Sequence, residues 1–481
     1  MKKQIMIALM LVTSLAAMEG TIVSTATPRI TSDLSGIELV SWVYAIYMLA
    51  TAVSTPIYGK LADLFGRKRV LLVGIIIFLI GSILCGMAMN MTQLIIFRAF
   101  QGLGAGAVMP ITMTIIGDLN KEAQARVKAQ GWISAVWGVS GVIGPLLGGF
   151  LVDTLSWRYI FFLNVPFGLL SLFLIVKYYK EQIQKEKRHI DYPGAVTFSL
   201  GVIALLYALL TGSQTQQWTD NLLIGLFSSA FVLFILFIWI EKRSPEPLVP
   251  LNLFSNSTIT TVNFLTLFMG GILISITVYL PLFTQGILGK SATAAGFMLM
   301  PMPVCWTIAS IFSGHLVAKL RPTYVITLGT IFLLIATSFL FSLTQESSDW
   351  SIYASIGILG LGMGIITPVL MLIIQGSVPQ QKRGTAISLN TFTNTFSQTL
   401  GSAVFGTLFN LQVNANGGDS SMINSSFEHQ KVDPDTLASV QGHLFVGIHT
   451  VFASIMILAF FAVIIGFVLI KKVGQKELSQ S

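Results

Sequence analysis

Apolar runs long enough to cross a bilayer recur fourteen times along this chain. They lie roughly at 5–27, 40–60, 69–89, 92–117, 127–152, 157–178, 192–211, 221–241, 258–284, 293–318, 322–342, 351–375, 384–411 and 444–470. A bilayer core of about 30 Å takes about 20 apolar residues in helical form. Backbone groups in lipid must be satisfied within the segment, so runs of this length are helices rather than barrel strands. The expected fold is an all-α polytopic membrane protein with fourteen transmembrane helices. Only 10% of residues are charged and 54% are hydrophobic, against roughly 25% charged in soluble proteins. That excludes a soluble enzyme and a disordered chain alike. Lys2 and Lys3 ahead of residues 5–17 have the form of a signal peptide. The apolar sequence continues to Pro28, however, so the first run is expected to stay and span. Cys85 and Cys305 sit inside apolar runs and imply neither a disulfide framework nor a metal site.

Charge placement orients the chain. Of 28 Lys and Arg residues, only Arg29, Arg158, Lys290 and Lys431 fall on the side opposite the N-terminus, and Arg98 lies within a run. By the positive-inside rule both termini are expected on the cytoplasmic side of the inner cell membrane, which an even number of spans allows. The net charge of +8 is thereby explained without nucleic-acid binding.

The chain also repeats. Gly102-Leu-Gly104-Ala-Gly106 leads to Pro110, and Gly360-Leu-Gly362-Met-Gly364 leads to Pro368. Arg126 and Arg383 follow these prolines, and Gly144 and Gly401 lie eighteen residues further on. Gly59-Lys-Leu61 is echoed by Gly314-His-Leu316, and the offset stays near 255–258 throughout. Runs 1–6 therefore resemble runs 9–14. The expected organisation is a six-helix bundle over 1–180, a cytoplasmic linker and inserted helix pair over 181–250, and a second six-helix bundle over 251–481. The second bundle carries a long polar outer loop at 412–443, where Asp433-Pro434-Asp435 could start a short helix and Asn424 forms a glycosylation pattern. Repeated helical halves are a mark of secondary transporters, with the site between the repeats.

After the second run stands Gly59-Lys-Leu-Ala-Asp63-Leu-Phe-Gly66-Arg67-Lys68. The glycines permit a tight reversal. Asp63 could pair with Arg67 or cap a helix, making a polar latch at the cytoplasmic rim. With this motif the sequence resembles the major facilitator superfamily. The fourth run adds Arg98-Ala-Phe-Gln101-Gly102-Leu-Gly104, and the fifth adds Gly138-Val-Ser-Gly141-Val-Ile-Gly144-Pro145-Leu-Leu-Gly148-Gly149. Within the superfamily, Met18-Glu19-Gly20-Thr21 through Pro28, and Trp157-Arg158 through Asn164-Val-Pro166, resemble the fourteen-helix drug–proton antiporter family. The resemblance covers nearly the whole chain. It implies the superfamily fold, alternating access and proton-coupled export, with no cofactor beyond the coupling proton. Glu19 stands where that family usually has Asp, Ser24 where Asn is common, and Ala318 where the second-half latch would have Asp.

The residues speak on their own as well. Glu19 is the only carboxylate well inside a run, and such a group marks function by default. At about 1.5 Å per residue, Glu19 lies about 13 Å from the outer end of its helix and Arg98 about 9 Å from the outer end of its own. The two could meet, as a proton or cation site or as a static structural pair. Gly141, Gly144, Pro145, Gly148 and Gly149 allow close helix approach and a bend. A leak-preventing hinge there is implied only by the family. Asn390, Asn394 and Gln398 share one face of run 13. They are candidates for a substrate cavity or for interhelical hydrogen bonds, as are Gln101 and Asn263. His449 is expected at a wet interface. Trp42, Tyr47, Trp132 and Trp137 could offer aromatic faces to cations. Interface anchoring or packing is their default.

Gly289-Lys290-Ser291 lacks the first glycine of a phosphate loop, where Thr284 stands, and Gly102–Gly106 lacks dinucleotide spacing. The leading expectation is a non-enzymatic, proton-coupled exporter of lipophilic drugs or antibiotics, cations among them. A proton-coupled exporter of one natural metabolite or lipid precursor is the alternative. A receptor or scaffold would need no embedded acid.

Overall fold

The structure is a computed structural model. It describes residues 2–34, 40–120, 122–181, 191–215, 217–245, 247–249, 252–290, 292–415 and 434–478. Among the described residues every regular element is helical. In chain order they are α1 (Lys2–Leu34), α2 (Val40–Phe65), α3 (Arg67–Gly86), α4 (Met91–Ala105), α5 (Val108–Leu119) and α6 (Ala123–Thr154). There follow α7 (Tyr159–Phe162), α8 (Asn164–Tyr178), α9 (Tyr192–Thr215), α10 (Asn221–Glu241), α11 (Asn252–Ser255) and α12 (Ser257–Gly286). The chain continues with α13 (Ala292–Leu299), α14 (Pro301–Lys319), α15 (Pro322–Phe341), α16 (Asp349–Gly376), α17 (Arg383–Ala415) and α18 (Pro434–Leu478). Runs 4, 6 and 10 are each broken into two helices. Among the described residues ten helices, counting α4–α5, α7–α8 and α13–α14 as one each, are long and apolar enough to cross a membrane. Those over runs 1, 2, 5 and 13 are not among the ten. In α17 the reason is visible in its row of Asn, Thr, Ser and Gln. The loop at 412–443 is shorter than expected, because α17 continues to Ala415 and α18 begins at Pro434. A proline suits a first helical turn, where its missing N–H has no partner to lose. Asp433 and Asn424 lie outside the described residues.

The glycine–proline motif explains how the helices close up. A Cβ on Gly102 or Gly106 would run into α2, at Tyr47 and Ala50 or at Thr51 and Ser54. One on Gly104 would run into the backbone of α3 at Gly74 and Phe78. Pro110 has no N–H, so the Gly106 carbonyl four residues back loses its helical donor. The Thr55 hydroxyl, delivered by the close approach of α2, donates to that carbonyl at 3.3 Å. The second half repeats the arrangement. Gly360 and Gly364 face α14 at Met302 and Trp306, and Gly362 faces α15 at Gly329 and Leu333. Ser310 donates to the Gly364 carbonyl, which Pro368 leaves free, at 3.0 Å. Small residues thus set the spacing, and a neighbour's hydroxyl repairs the proline break.

The halves meet along two seams, α2 with α17 and α6 with α14. Helices α9 and α10 pack on each other, and α9 lies along α2 and α17. Phe198, Val202 and Leu206 of α9 share a core there with Leu49, Val53 and Leu389. The turns carrying Arg67, Arg126, Arg321 and Arg383 share one end of the bundle by helix alternation. It is called the basic end below.

Gly104→Ala is expected to lower the melting temperature of the purified protein by several degrees, since its Cβ meets backbone that cannot yield and overpacking costs about 1–3 kcal/mol. Gly141→Ala should not lower it, because nothing lies within 4 Å of a Cβ there. Equal melting of both variants would contradict this account of the motif.

Candidate functional site

Five buried polar side chains from four helices close into a ring near the middle of the first half. Arg98 and Gln101, three apart on α4, point the same way. Arg98 Nη1 donates to Glu19 Oε1 of α1 and to Gln101 Oε1 at 2.8 Å. Gln101 Nε2 donates to Ser82 Oγ of α3 at 3.3 Å. Asn164, the first residue of α8, donates through Nδ2 to Ser82 Oγ at 2.8 Å and to Glu19 Oε2 at 3.0 Å. Glu19 and Arg98 are each 1% exposed. A buried ion pair is tolerated only when its remaining donors and acceptors are used. Here Arg98 Nε reaches the Val43 carbonyl at 3.1 Å, and the guanidinium lies 4.2 Å from the Tyr47 ring centre. Ser82 spends its own proton on the Phe161 carbonyl at 2.8 Å. Gly81 makes the ring possible, since a Cβ there would strike the Gln101 backbone.

At the basic end a second polar cluster ties α2 to α17. Asp63 accepts from Gly384 N at 3.1 Å, Thr385 N at 2.8 Å and Thr385 Oγ1 at 3.0 Å. These are the first amides of α17, where the helix dipole favours an anion. Arg67 pairs with Asp63 at 3.2 Å and reaches the Gln380 carbonyl at 2.8 Å. Gly66 has φ 98, a conformation that favours glycine. Gly59 leaves room for Ser388 and the Gly384 carbonyl, which a Cβ would strike. Asp118 bridges Arg383 at 3.2 Å and Arg67 at 3.7 Å, and Gln375 donates to the Met113 carbonyl at 2.9 Å. Burial pushes the Asp63 carboxyl up to about 6, against the pull of the Thr385 and Gly384 bonds and the Arg67 charge. At the other seam Gly314 faces Lys128 and Gln124 of α6 in ordinary contact, with Ala318 where a carboxylate would stand.

Of the other polar candidates, Asn390 donates to Asn263 at 3.2 Å and to Thr266 at 2.8 Å. All three are buried, so they hold α17 to α12. Asn394 and Gln398 bond to each other at 2.7 Å and stay partly exposed. On α6, which runs unbroken through Pro145, Gly144 and Gly148 are buried. Gly141 faces open space, whereas a Cβ on Gly138 would strike Thr307 of α14. Pro145 and Gly149 are described by their helical backbone alone. His449 is held by the Leu343 carbonyl at 2.6 Å, with Phe445 at 4.1 Å and Phe341 at 5.7 Å between ring centres. The imidazole packs on these rings and stays partly exposed. Trp42 stacks on Tyr207 of α9, while Trp132 and Trp137 are exposed.

Sequence reasoning assigned no role to Asn164, Ser82, Asp118 or Asp33. Asp33 accepts from Trp157 Nε1 at 2.9 Å and pairs with Arg158 at 3.6 Å, which fastens the far end of α1. Asn164 and the Trp157–Arg158 pair stood in a quoted signature. Ser82 gave no signal beyond being a lone hydroxyl in an apolar run. Among the described residues no group of three or more His, Cys, Asp or Glu side chains could hold a metal ion.

Known proteins resemble this chain. Multidrug resistance protein 3 of Bacillus subtilis is 40% identical over 406 residues, covering 84% of this chain and 79% of its own. Multidrug transporter protein MdtP of the same organism is 38% identical over 397 residues, 82% of this chain and 73% of its own. The human organic anion transporter MFSD10 superposes with a TM-score of 0.66 over 96% of this chain and 99% of its own, at 14% identity, a likeness of fold alone. The sequence profile of the Major Facilitator Superfamily matches residues 9–402: the chain is a membrane transporter of the Major Facilitator Superfamily.

Proposed function

We propose that this transporter exports lipophilic drugs, cations among them, in exchange for protons, and that Glu19 carries the proton. The observation behind this is a carboxylate wholly buried in the first half, held by Arg98 on one oxygen and Asn164 on the other. An embedded acid is expensive and has no role in a passive scaffold. The names of the two bacterial relatives support drugs as cargo. In this proposal all fourteen runs span the cell membrane with the basic end and both termini cytoplasmic. The halves 1–180 and 251–481 rock about the substrate path. The Asp63 cluster shuts the cytoplasmic side, and α9–α10 follow the α2–α17 seam. Asn394 and Gln398, with amides still partly exposed, are the polar groups assigned to the substrate path.

The test uses everted membrane vesicles with an imposed pH gradient and ethidium as a cationic dye. Wild type should collapse the gradient when dye is added, and Glu19→Gln should cut that signal by at least a hundredfold while still binding dye. Equal collapse by both proteins would remove Glu19 from the proton path. No collapse in wild type with any dye or antibiotic of a broad panel would favour a single natural substrate.

A further inference from the structure

We infer that Asn164 is a positioning residue that reads the protonation state of Glu19 and passes it to α3 and to the α7–α8 joint. The inference rests on Glu19 being the proton site and goes further, by naming what responds when the proton arrives.

The hydrogen-bond directions carry it. Both arms of the ring aim donors at the Glu19 carboxylate, Arg98 from one side and Asn164 from the other. The two protons on Asn164 Nδ2 are both used, one on Glu19 Oε2 and one on Ser82 Oγ. Ser82 has also committed its own proton, to the Phe161 carbonyl. The arrangement therefore suits a carboxylate. A protonated Glu19 offers an O–H and needs an acceptor instead. An amide supplies either function, because turning it by half a revolution exchanges Nδ2 for Oδ1. That turn takes Nδ2 off Ser82 Oγ, and the Ser82–Phe161 bond loses its brace. Phe161 lies inside the short helix α7, one residue before its end at Phe162, Leu163 turns the chain, and Asn164 starts α8. One proton on Glu19 thus alters bonds to α3 and to both sides of that joint.

The other groups facing Glu19 are committed elsewhere: the Gln101 amide, which also faces it, has Oε1 held by the Arg98 guanidinium, and turning it would set donor against donor. Among the described residues the titratable and charged ones are Arg98 from α4, Tyr47 from α2 and Cys85 from α3. Arg98 has only donors. The Cys85 thiol is turned toward Gln101 Oε1 at 3.7 Å. The Tyr47 ring lies under the guanidinium. Asn164, fully neutral and 4% exposed, can offer the Glu19 carboxyl either a donor or an acceptor.

The experiment is a pH titration of ethidium affinity in full-length protein reconstituted in liposomes, with the same pH on both sides. Wild type should show a midpoint set by Glu19, and Glu19→Gln should show none. Asn164→Leu removes the donor to the carboxylate and should move the midpoint up by at least one pH unit, tenfold in proton affinity. Asn164→Asp, which keeps the shape and replaces the donor with like charge, should move it further. Ser82→Ala should leave the midpoint in place yet slow exchange at least tenfold, because the message is formed but not passed on. A purely structural Asn164 would lower the melting temperature and leave the midpoint within a few tenths of a unit, and that result overturns the inference. If Asn164→Leu fails to fold, Asn164→Asp decides the matter alone. A midpoint that survives in Glu19→Gln would instead overturn the proton-site assignment beneath it.

Discussion

Arg98→Ala is expected to abolish gradient-driven export and to lower the melting temperature more than any other single change in the ring. Removing one partner of a buried pair strands the other, at a cost of about 3–5 kcal/mol. Here it strands more than Glu19. The Val43 carbonyl and Gln101 Oε1 also lose the donor that Arg98 supplies. Arg98→Lys keeps the charge but not the fork, which serves three acceptors at fixed angles, so it should recover some stability and little transport. The double change Glu19→Gln with Arg98→Leu removes both charges together. It should be more stable than Arg98→Ala and equally inactive, a non-additivity that marks a coupled unit. Export by Arg98→Ala at the wild-type rate would end the claim that this ring takes part in transport.

The second large effect is expected at the basic end. Asp63→Ala removes three hydrogen bonds from the first turn of α17 and the partner of Arg67. Charge-assisted bonds contribute about 1.5–3 kcal/mol each when buried, and at least one such bond separates the shut from the unshut state. Export should fall on the order of tenfold to a hundredfold, with protein levels in the membrane unchanged. Asp63→Asn keeps an oxygen for the same amides and should recover most of the rate. The sign of the pH effect follows from burial in the closed cluster, which holds the Asp63 carboxyl at about 6, above the free aspartate value. A group whose affinity for protons is raised on closure favours the shut state in acid. That bias is complete below about 4, the ordinary aspartate value, and is lost as pH climbs through about 6 on the basic side. Spin-label distances across the α2–α17 seam, taken between pH 5 and pH 7.5, should shorten toward the acid side in wild type and stay constant in Asp63→Asn. Lengthening toward acid would show the sign to be wrong.

Much of this was legible in the chain because it is local. Run length reads as helix, and counted depth is enough to bring Glu19 and Arg98 together, since the rise per residue is the same in every helix. The glycine–proline motif announces close packing in the same way. What it does not announce is that Thr55 and Ser310 repair the freed carbonyls, because which helix stands opposite is a property of the whole bundle. Asp63 shows the same limit. Its neighbour in sequence, Arg67, was an evident partner, while the bonds to Gly384 and Thr385 reach across more than three hundred residues. Asn164 and Ser82 are single polar residues in apolar helices, and Asn390 looks no different from Asn394 in the sequence. One of that pair turned out to fasten two helices and the other stayed partly exposed. His449, expected at a wet interface, is partly exposed, and the phenylalanines of α15 and its own helix that flank it are contacts the sequence does not announce.

The two copies of the glycine motif align Arg98 with Ile356 and Gln101 with Leu359, both buried and apolar. The ring therefore has no charged twin, and in the proposed cycle one carboxyl moves one proton per turnover. That sets a ceiling on accumulation. Trading one proton for one monovalent cation transfers no net charge, so the membrane voltage contributes nothing and each pH unit supports at most about a tenfold concentration ratio. A neutral cargo leaves the proton's charge uncompensated and gains about 2.3 kcal/mol more per 100 mV. The same pump would drive uncharged compounds to steeper ratios than the cations it binds.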